Sequence, residues 1–187
     1  MKSVLISIQP KWVEKIASGE KTIEVRKSAP KEVPFKCYIY ETQGQYVKFT
    51  HGAHTKYGYG RGKVIGEFIC DKVEMVNAKC SDYGIDLFYH DCLTNGCLTE
   101  REIEKYFNVP EDRDLRAMKG NGYVWNISDL KIYDKPKELS EFRKPCDRFL
   151  DCCTCRRLVR NEYMSCDNKI NRPPLSWCYV EDLGEEE

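Results

Sequence analysis

The chain has 187 residues, 41% apolar and 32% charged, which is the composition of a globular protein with one sizeable core. The chain has 30 basic and 30 acidic side chains, so its formal net charge is zero. This argues against non-specific binding of a long nucleic acid through a large excess of positive charge. No apolar run approaches the roughly 20 residues that cross a bilayer. The opening MKSVLISIQP also lacks a small-residue cleavage site, so we expect a cytoplasmic protein and no membrane partner.

The first twenty residues predict a strand followed by a short amphipathic helix. Residues 4–8 form an apolar run of strand length. Pro10 suits the first helical position, and Gly19 suits a left-handed helix end. Between them, apolar side chains recur at helical spacing at Trp12, Val13, Ile16 and Ala17.

Residues 21–27 alternate between apolar and polar side chains, which predicts a second strand. Ile23 and Val25 would lie on its buried face. Thr22, Glu24 and Arg26 would be presented together on the other face.

The middle of the chain predicts further strands and one helix. Residues 36–41 and 63–73 are strand-like, whereas residues 43–62 are rich in Gly, His, Tyr and Lys without periodicity and predict a long loop or an irregular hairpin. Thr99 and Glu102 form a capping box for a helix over 98–107. Residues 123–133 predict one long late strand. The fold class is therefore α+β with a strand-dominated core.

The composition changes near residue 143, where we place the end of a domain 1–142 and the start of a Cys-rich, Arg-rich extension 143–187 with an acidic tail. The chain has eleven cysteines, an odd number that does not suit a complete disulfide framework. Thiolates within the extension could hold one structural zinc ion, with a preferred set of Cys146, Cys152, Cys155 and Cys166. Cysteines that pack without metal are the alternative.

Several segments resemble ASCH domains of the PUA-like superfamily. Residues 10–27, PKWVEKIASGEKTIEVRK, are similar to the opening of these domains, and later segments fit in the same order at 38–41, 63–68, 123–127 and 133–136. The resemblance covers about residues 2–142 and is to small bacterial or phage members. It implies a small PUA-like β-barrel with flanking helices, a cleft beside the first helix, and RNA binding.

Some bacterial ASCH proteins resembling this chain are amidohydrolases that act on acetylated cytidine, and others are ribonucleases. The resemblance places Lys21 at the position of the amidohydrolase lysine. Glu24 stands where those enzymes have Thr, and Thr94 and Asn95 stand where they have a downstream Glu. Both differences count against the amidohydrolase.

The charged side chains of the second strand can form a pocket wall for a nucleobase. Arg26 would direct paired donors at carbonyls or phosphates, Glu24 would accept from an exocyclic amine, and Lys21 would supply a charge or a base. Aromatic candidates for stacking on a base are Tyr40, Trp125 and Trp177. A salt-bridged strand face with aromatic side chains in the core is the alternative.

Two further basic regions could contact nucleic acid. His51 and His54 could serve as acid and base in RNA cleavage, beside Lys56 and Arg61 in the same glycine-containing segment. The extension carries a candidate phosphate patch at Arg156, Arg157 and Arg160. Solvated surface is the alternative for both regions.

These observations favour a module that binds RNA or a modified nucleobase through the cleft around Lys21, Glu24 and Arg26. The competing hypothesis is a hydrolase, either a ribonuclease using the two histidines or an amidohydrolase using Lys21 and Glu24. A protein-interaction adaptor is the third, and DNA remains an alternative partner.

Overall fold

The structure is a computed structural model that describes residues 1–51, 54–110, 117–145 and 168–184, with the backbone alone at 49–51 and 54. The described ranges contain ten strands and three α-helices. In chain order these are β1 (Lys2–Ile8), α1 (Pro10–Ala17), β2 (Ile23–Arg26), β3 (Phe35–Glu41), β4 (Gly44–His51), β5 (His54–Gly60), β6 (Val64–Cys70), β7 (Val73–Asn77), α2 (Asp82–Thr94), α3 (Glu100–Phe107), β8 (Asn121–Asn126), β9 (Ser128–Lys137) and β10 (Trp177–Val180).

The strands form three sheets. The main sheet has the order β10-β1-β3-β6-β9, the second sheet has the order β2-β8-β7, and β4 and β5 form a separate two-stranded ribbon. Strands β1 and β3 are parallel, and the other pairs are antiparallel. The predicted mixed α+β class is confirmed. Among the described residues, no strand ladder joins these sheets into a closed barrel.

The central strands β1, β3 and β6 of the main sheet are buried on both faces and are rich in apolar residues, whereas the edge strand β9 is largely exposed. Side chains at Val4, Ile6 and Ile39 face one cluster, which also contains Val13 and Ile16 of α1. The intervening side chains, such as Leu5 and Tyr38, face a different cluster on the other side of the sheet. Each face of the sheet therefore has its own core.

The cluster that contains Leu5 and Tyr38, called the outer cluster below, is covered by residues that follow position 141. Phe142 and Ile170 are both buried in it, and β10 pairs with β1 so that Ser3 lies opposite Val180. The part of the segment after 142 that the structure describes thus contributes a strand to the main sheet. A separate Cys-rich extension is not shown, and the division at residue 143 stays a prediction.

The Asp182 carboxylate links the segment after β10 to strand β3 in the middle of the main sheet. Asp182 Oδ1 accepts hydrogen bonds from Lys36 Nζ at 3.0 Å and from the Tyr38 hydroxyl at 2.6 Å. Burial raises the pKa of Asp182, but these hydrogen bonds outweigh that effect and hold the pKa below its usual value. Burial raises the pKa of Tyr38 strongly, and its hydrogen bond to Asp182 adds to this effect.

One predicted strand is divided in the structure, and another ends earlier than expected. Residues 123–133 were expected to form one strand, but β8 belongs to the second sheet and β9 to the main sheet, with a left-handed residue, Asp129, early in β9. This expectation of a single strand was wrong, because a continuous run of strand-forming residues does not show where the chain changes sheets. The strand expected over 63–73 is present as β6, but it ends at Cys70, and Val73 is the first residue of β7.

Other local predictions agree with the structure. The capping box is present, since Thr99 Oγ1 accepts from the backbone N–H of Glu102 and the Glu102 carboxylate accepts from that of Thr99. Of the two interpretations of residues 43–62, the irregular hairpin is confirmed, with a register shift between Val47 and Phe49. Ala17, which was expected on the apolar stripe of α1, is exposed.

Candidate functional site

The three charged side chains singled out in the sequence lie together in the interior. Lys21 is 2% exposed, Glu24 6% and Arg26 9%. Glu24 stands between the two cations, with Oε1 at 2.9 Å from a terminal nitrogen of Arg26 and Oε2 at 3.4 Å from Lys21 Nζ. Both faces of β2 are buried, so the charged face that was expected to be presented is instead enclosed.

The charged side chains are buried because β2 lies between the cluster packed against α2 and α3 on one side and the main sheet on the other. One face of β2 presents Ile23 and Val25 to the cluster that includes Phe88 of α2 and Phe107 of α3. The other face turns Glu24 and Arg26 toward the main sheet, where the Arg26 guanidinium donates to the Ser7 carbonyl of β1 at 2.8 Å. The charged side chains therefore lie at the junction of the two sheets.

The register of β2 and β8 brings aromatic side chains to the same face. Trp125 lies directly opposite Glu24, and Tyr123 lies opposite Arg26. Residues that face each other across an antiparallel pair project to one side of the sheet. Trp125 is fully buried and makes edge contacts with Phe35 at 5.1 Å and Trp177 at 5.8 Å between ring centroids.

Lys21 is held by α1 and by the segment after α2. Its backbone N–H donates to the Lys15 carbonyl at 2.9 Å, and Nζ donates to the Gly96 carbonyl at 2.8 Å. Nζ also lies 5.5 Å from the centroid of the Trp12 ring, within the range of a cation–π contact. Lys21 is therefore fixed from three directions.

Three polar atoms in this group lack a hydrogen-bond partner. They are Glu24 Oε2, Arg26 Nε and Trp125 Nε1, each buried and without a partner among the described residues. Glu24 Oε2 remains within ion-pair distance of Lys21, but the geometry is not that of a hydrogen bond. Buried polar atoms in folded proteins are usually paired, so three such atoms on one strand pair call for an explanation.

The other predicted aromatic residues occupy different places. Trp177 touches Trp125 and donates from its indole N–H to Ser28 Oγ at 3.0 Å. Tyr40 projects to the opposite face of the main sheet, into the outer cluster, and is not brought to the charged group. The site roles of Trp12, Ser7 and Gly96 were not predicted from the sequence. Trp12 was interpreted as core, and the other two act through backbone carbonyls, which leave no side-chain signal.

Thr94 and Asn95 lie at the end of α2, close to the chain before β2. The Asn95 carbonyl accepts from the backbone N–H of Thr22 at 3.0 Å, and its side chain donates to Asp91. Thr94 donates to the carbonyl of His90. The segment that holds Lys21 therefore contributes backbone carbonyls to the site and no carboxylate of its own.

The predicted basic patch at the ribbon is only partly described. Lys56 and Arg61 are exposed, and the Arg61 backbone N–H donates to Glu41 Oε2 at 2.8 Å. His51 and His54 are paired by the backbone at the ends of β4 and β5, and their side chains lie outside the described part of the structure. Also outside it are Cys146, Cys152, Cys155, Cys166, Arg156, Arg157 and Arg160.

No group of three or more Cys, His, Asp or Glu side chains in the described ranges is placed to hold a metal ion, and the zinc site stays a prediction. The cysteines nearest the charged group are buried. Burial raises the pKa of the Cys92 thiol to about 12 and that of Cys37 well above its usual value. These thiols are therefore protonated at neutral pH and act as small apolar side chains.

The sheets and helices form a mixed α+β domain whose fold is similar to that of solved ASCH structures. A solved ASCH structure from Zymomonas mobilis matches with a TM-score of 0.55 and 18% identity, covering 96% of this chain and 88% of that chain. A Ser-to-Ala mutant of that protein matches with a TM-score of 0.56 and 17% identity, covering 96% and 89%. A Tyr-to-Phe mutant gives 0.55 and 15%, covering 97% and 91%.

These matches show the ASCH fold that the sequence resemblance implied. Neither the protein-family models nor the curated proteins give a match to the chain. Among the helices that the structure describes, none combines the length and the apolar character needed to cross a membrane.

Proposed function

We propose that this protein binds RNA through a single unpaired or modified nucleobase, which the group formed by Lys21, Glu24, Arg26 and Trp125 recognises. The observation that carries the proposal is the set of buried polar atoms without partners: one acceptor, Glu24 Oε2, and two donors, Arg26 Nε and Trp125 Nε1. A purely structural ion cluster would be expected to pair such atoms internally.

This set matches the edge of a cytosine-like base in number and kind. Such a base offers one amine donor together with a ring nitrogen and a carbonyl oxygen as acceptors. Glu24 would accept from the amine, and Arg26 and Trp125 would donate to the two acceptors. Proteins commonly read unpaired RNA bases by hydrogen bonds to this edge.

The charges also favour a ligand that bears a phosphate. Two cations, Lys21 and Arg26, flank one carboxylate, so the group has a surplus of one positive charge. Arg26 is the most exposed of the three, and we propose that the base enters from its end of the pocket. The phosphate of the same nucleotide would then remain near the positive charge of the guanidinium.

The test is the binding of labelled single-stranded RNA homopolymers at two salt concentrations. Glu24→Gln keeps the shape of the side chain but removes its charge, and should weaken poly-C binding more than poly-U binding because only cytosine offers the amine. Each lost base contact should cost about 1–3 kcal/mol. Wild-type protein that binds no RNA, or a variant that keeps the wild-type preference, would overturn the proposal.

A control variant is needed because Glu24 is buried. Asp182→Asn removes one charge from another partly buried ion pair, that with Lys36, on a different part of the sheet. It should leave base preference unchanged. Circular dichroism and thermal unfolding of both variants would separate lost recognition from lost folding.

One observation keeps a ribonuclease as the second candidate. The register of the ribbon pairs His51 with His54, so that their Cα atoms lie opposite each other across the two strands. Two histidines placed together could supply the acid and the base of RNA cleavage. The same RNA incubations, resolved on denaturing gels, would show cleavage that His51→Ala or His54→Ala removes.

A further inference from the structure

The ribbon formed by β4 and β5 projects as a separate two-stranded unit with two different faces. Tyr46 is paired with Gly58 in the register, whereas Gln45 is paired with Tyr59 and Val47 with Tyr57. Because paired residues share a face and neighbours alternate, Gln45, Val47, Tyr57 and Tyr59 lie together on one side. We refer to these four residues as the tyrosine face.

The opposite side of the ribbon rests on α1. Lys48 forms an ion pair with Glu14 at 3.1 Å, and a Cβ added to Gly60 would lie 2.5 Å from the ring of Pro10. Gly58 is buried, and a Cβ there would overlap the ring of Tyr46. Glycine is therefore required where the ribbon packs closely, and the tyrosine face is left turned toward solvent.

Three of the four side chains of the tyrosine face form a contiguous apolar patch, and the fourth, Gln45, donates a hydrogen bond to the Tyr59 hydroxyl at 3.4 Å. Tyr59 is 72% exposed and Tyr57 is 49% exposed, and Val47 beside them is also exposed. The two tyrosines are two residues apart on one strand, about 6.7 Å along it. Single exposed apolar residues need no explanation, but a contiguous patch usually marks a binding surface.

The ribbon segment itself supplies only cations, although three of them, Lys48, Arg61 and Lys63, form ion pairs with carboxylates from other parts of the chain. Residues 42–66 contain Lys48, Lys56, Arg61 and Lys63 and no Asp or Glu. The Arg61 side chain is more than half exposed. Exposed aromatic rings among cations form the surface that proteins use for unpaired nucleic acid, with bases on the rings and phosphates near the cations.

From these observations we infer that the tyrosine face is a stacking platform for single-stranded RNA, on which Tyr57 and Tyr59 each carry one base. The inference rests on the proposed function and adds a second contact surface to it. The ribbon and the charged group both contact α1, whose diameter is roughly 10–12 Å. Lys48 of the ribbon pairs with Glu14, and Lys21 of the charged group contacts Lys15 and Trp12. A short RNA could place one base in the pocket and its neighbours on the tyrosines.

The experiment measures the affinity of the full chain for a fluorescently labelled, unstructured RNA by anisotropy. Tyr57→Ala and Tyr59→Ala should each weaken binding at least about 5-fold, the lower end of base–aromatic stacking. Tyr57→Phe and Tyr59→Phe should bind as wild type, because the ring is retained. Tyr83→Ala is the matched control, since Tyr83 is 75% exposed on α2 and away from the ribbon.

Salt dependence separates stacking from charge. The tyrosine variants should lower affinity without changing the slope of log affinity against log salt, whereas Lys56→Gln should reduce the slope by about 0.7, the value for one phosphate contact on a single strand. If Tyr57→Ala and Tyr59→Ala bind like Tyr83→Ala, the platform is refuted while wild-type binding and the effect of Glu24→Gln still support the pocket.

Two other outcomes would also overturn the platform. Wild-type protein that binds no RNA would refute the pocket and the platform together. If Tyr57→Ala and Tyr59→Ala weakened the binding of a protein partner equally and left the affinity for RNA unchanged, the tyrosine face would be a protein-binding surface.

Discussion

Removing the carboxylate of Glu24 is expected to destabilise the fold strongly, since this group neutralises two cations in the interior. In Glu24→Ala, Lys21 and Arg26 would keep their hydrogen bonds to the carbonyls of Gly96 and Ser7 but would lose their only carboxylate among the described contacts. Breaking a buried ion pair by removing one partner typically costs about 3–5 kcal/mol.

We expect a value of about 3 kcal/mol, at the low end of that range, because the retained carbonyls and the Trp12 ring still solvate the cations in part. With a urea m-value of about 2 kcal/mol per molar, the midpoint of unfolding would fall by about 1.5 M. Glu32→Ala is the control, since its ion pair with Lys2 is exposed and should change stability by less than about 0.5 kcal/mol.

A double variant isolates the electrostatic part of this effect. Replacing Lys21 by Met removes one of the two cations that Glu24→Ala would leave uncompensated. The loss in the double variant should therefore be smaller than the sum of the two single losses by about 1 kcal/mol or more. Additive losses, or a Glu24→Ala cost below about 1 kcal/mol, would contradict the view that this carboxylate holds buried cations together.

Three further expectations concern other parts of the fold. Gly60→Ala would place a Cβ against the ring of Pro10 and should cost about 1–3 kcal/mol in thermal unfolding, whereas Gly84→Ala on α2 has room and should be neutral or stabilising. Asp182 has a lowered pKa, so its contribution is present above about pH 4 and is lost as the pH falls through the folded pKa; Asp182→Asn should flatten acid unfolding in that window. Cys92 should resist alkylation in the native protein at pH 8, as read by mass spectrometry of labelled peptides, because burial raises its pKa to about 12; rapid labelling there would contradict its burial.

The sequence predicted elements whose signals are local. Helix α1 begins at Pro10 as expected, and α3 has the capping box at Thr99 and Glu102. In both cases the residues that define the element lie within about ten residues of each other, so a short window contains the information. The charged group was also found, because Lys21, Glu24 and Arg26 lie within six residues of each other.

The parts that were missed depend on contacts between distant residues. Helix α2 has apolar side chains around much of its surface and contains Gly84, so its sequence lacks a clear amphipathic period. The burial of Glu24 depends on the main sheet packing across β2, which no window around residue 24 can show. Trp125 was predicted as a stacking residue, but its place opposite Glu24 depends on a register that joins residues 101 positions apart.

The pairing of β10 with β1 has a consequence for how the protein is made. Ser3 and Val180 are neighbours in the sheet although they are 177 positions apart in the chain, so this pair can form only after the ribosome has released Val180. Until then, one edge of β1 exposes unpaired N–H and C=O groups, and the outer cluster lacks Ile170. While the residues between β1 and β10 are being synthesised, this edge of β1 is therefore open to pairing with another chain, and a chaperone that covered it would prevent such pairing.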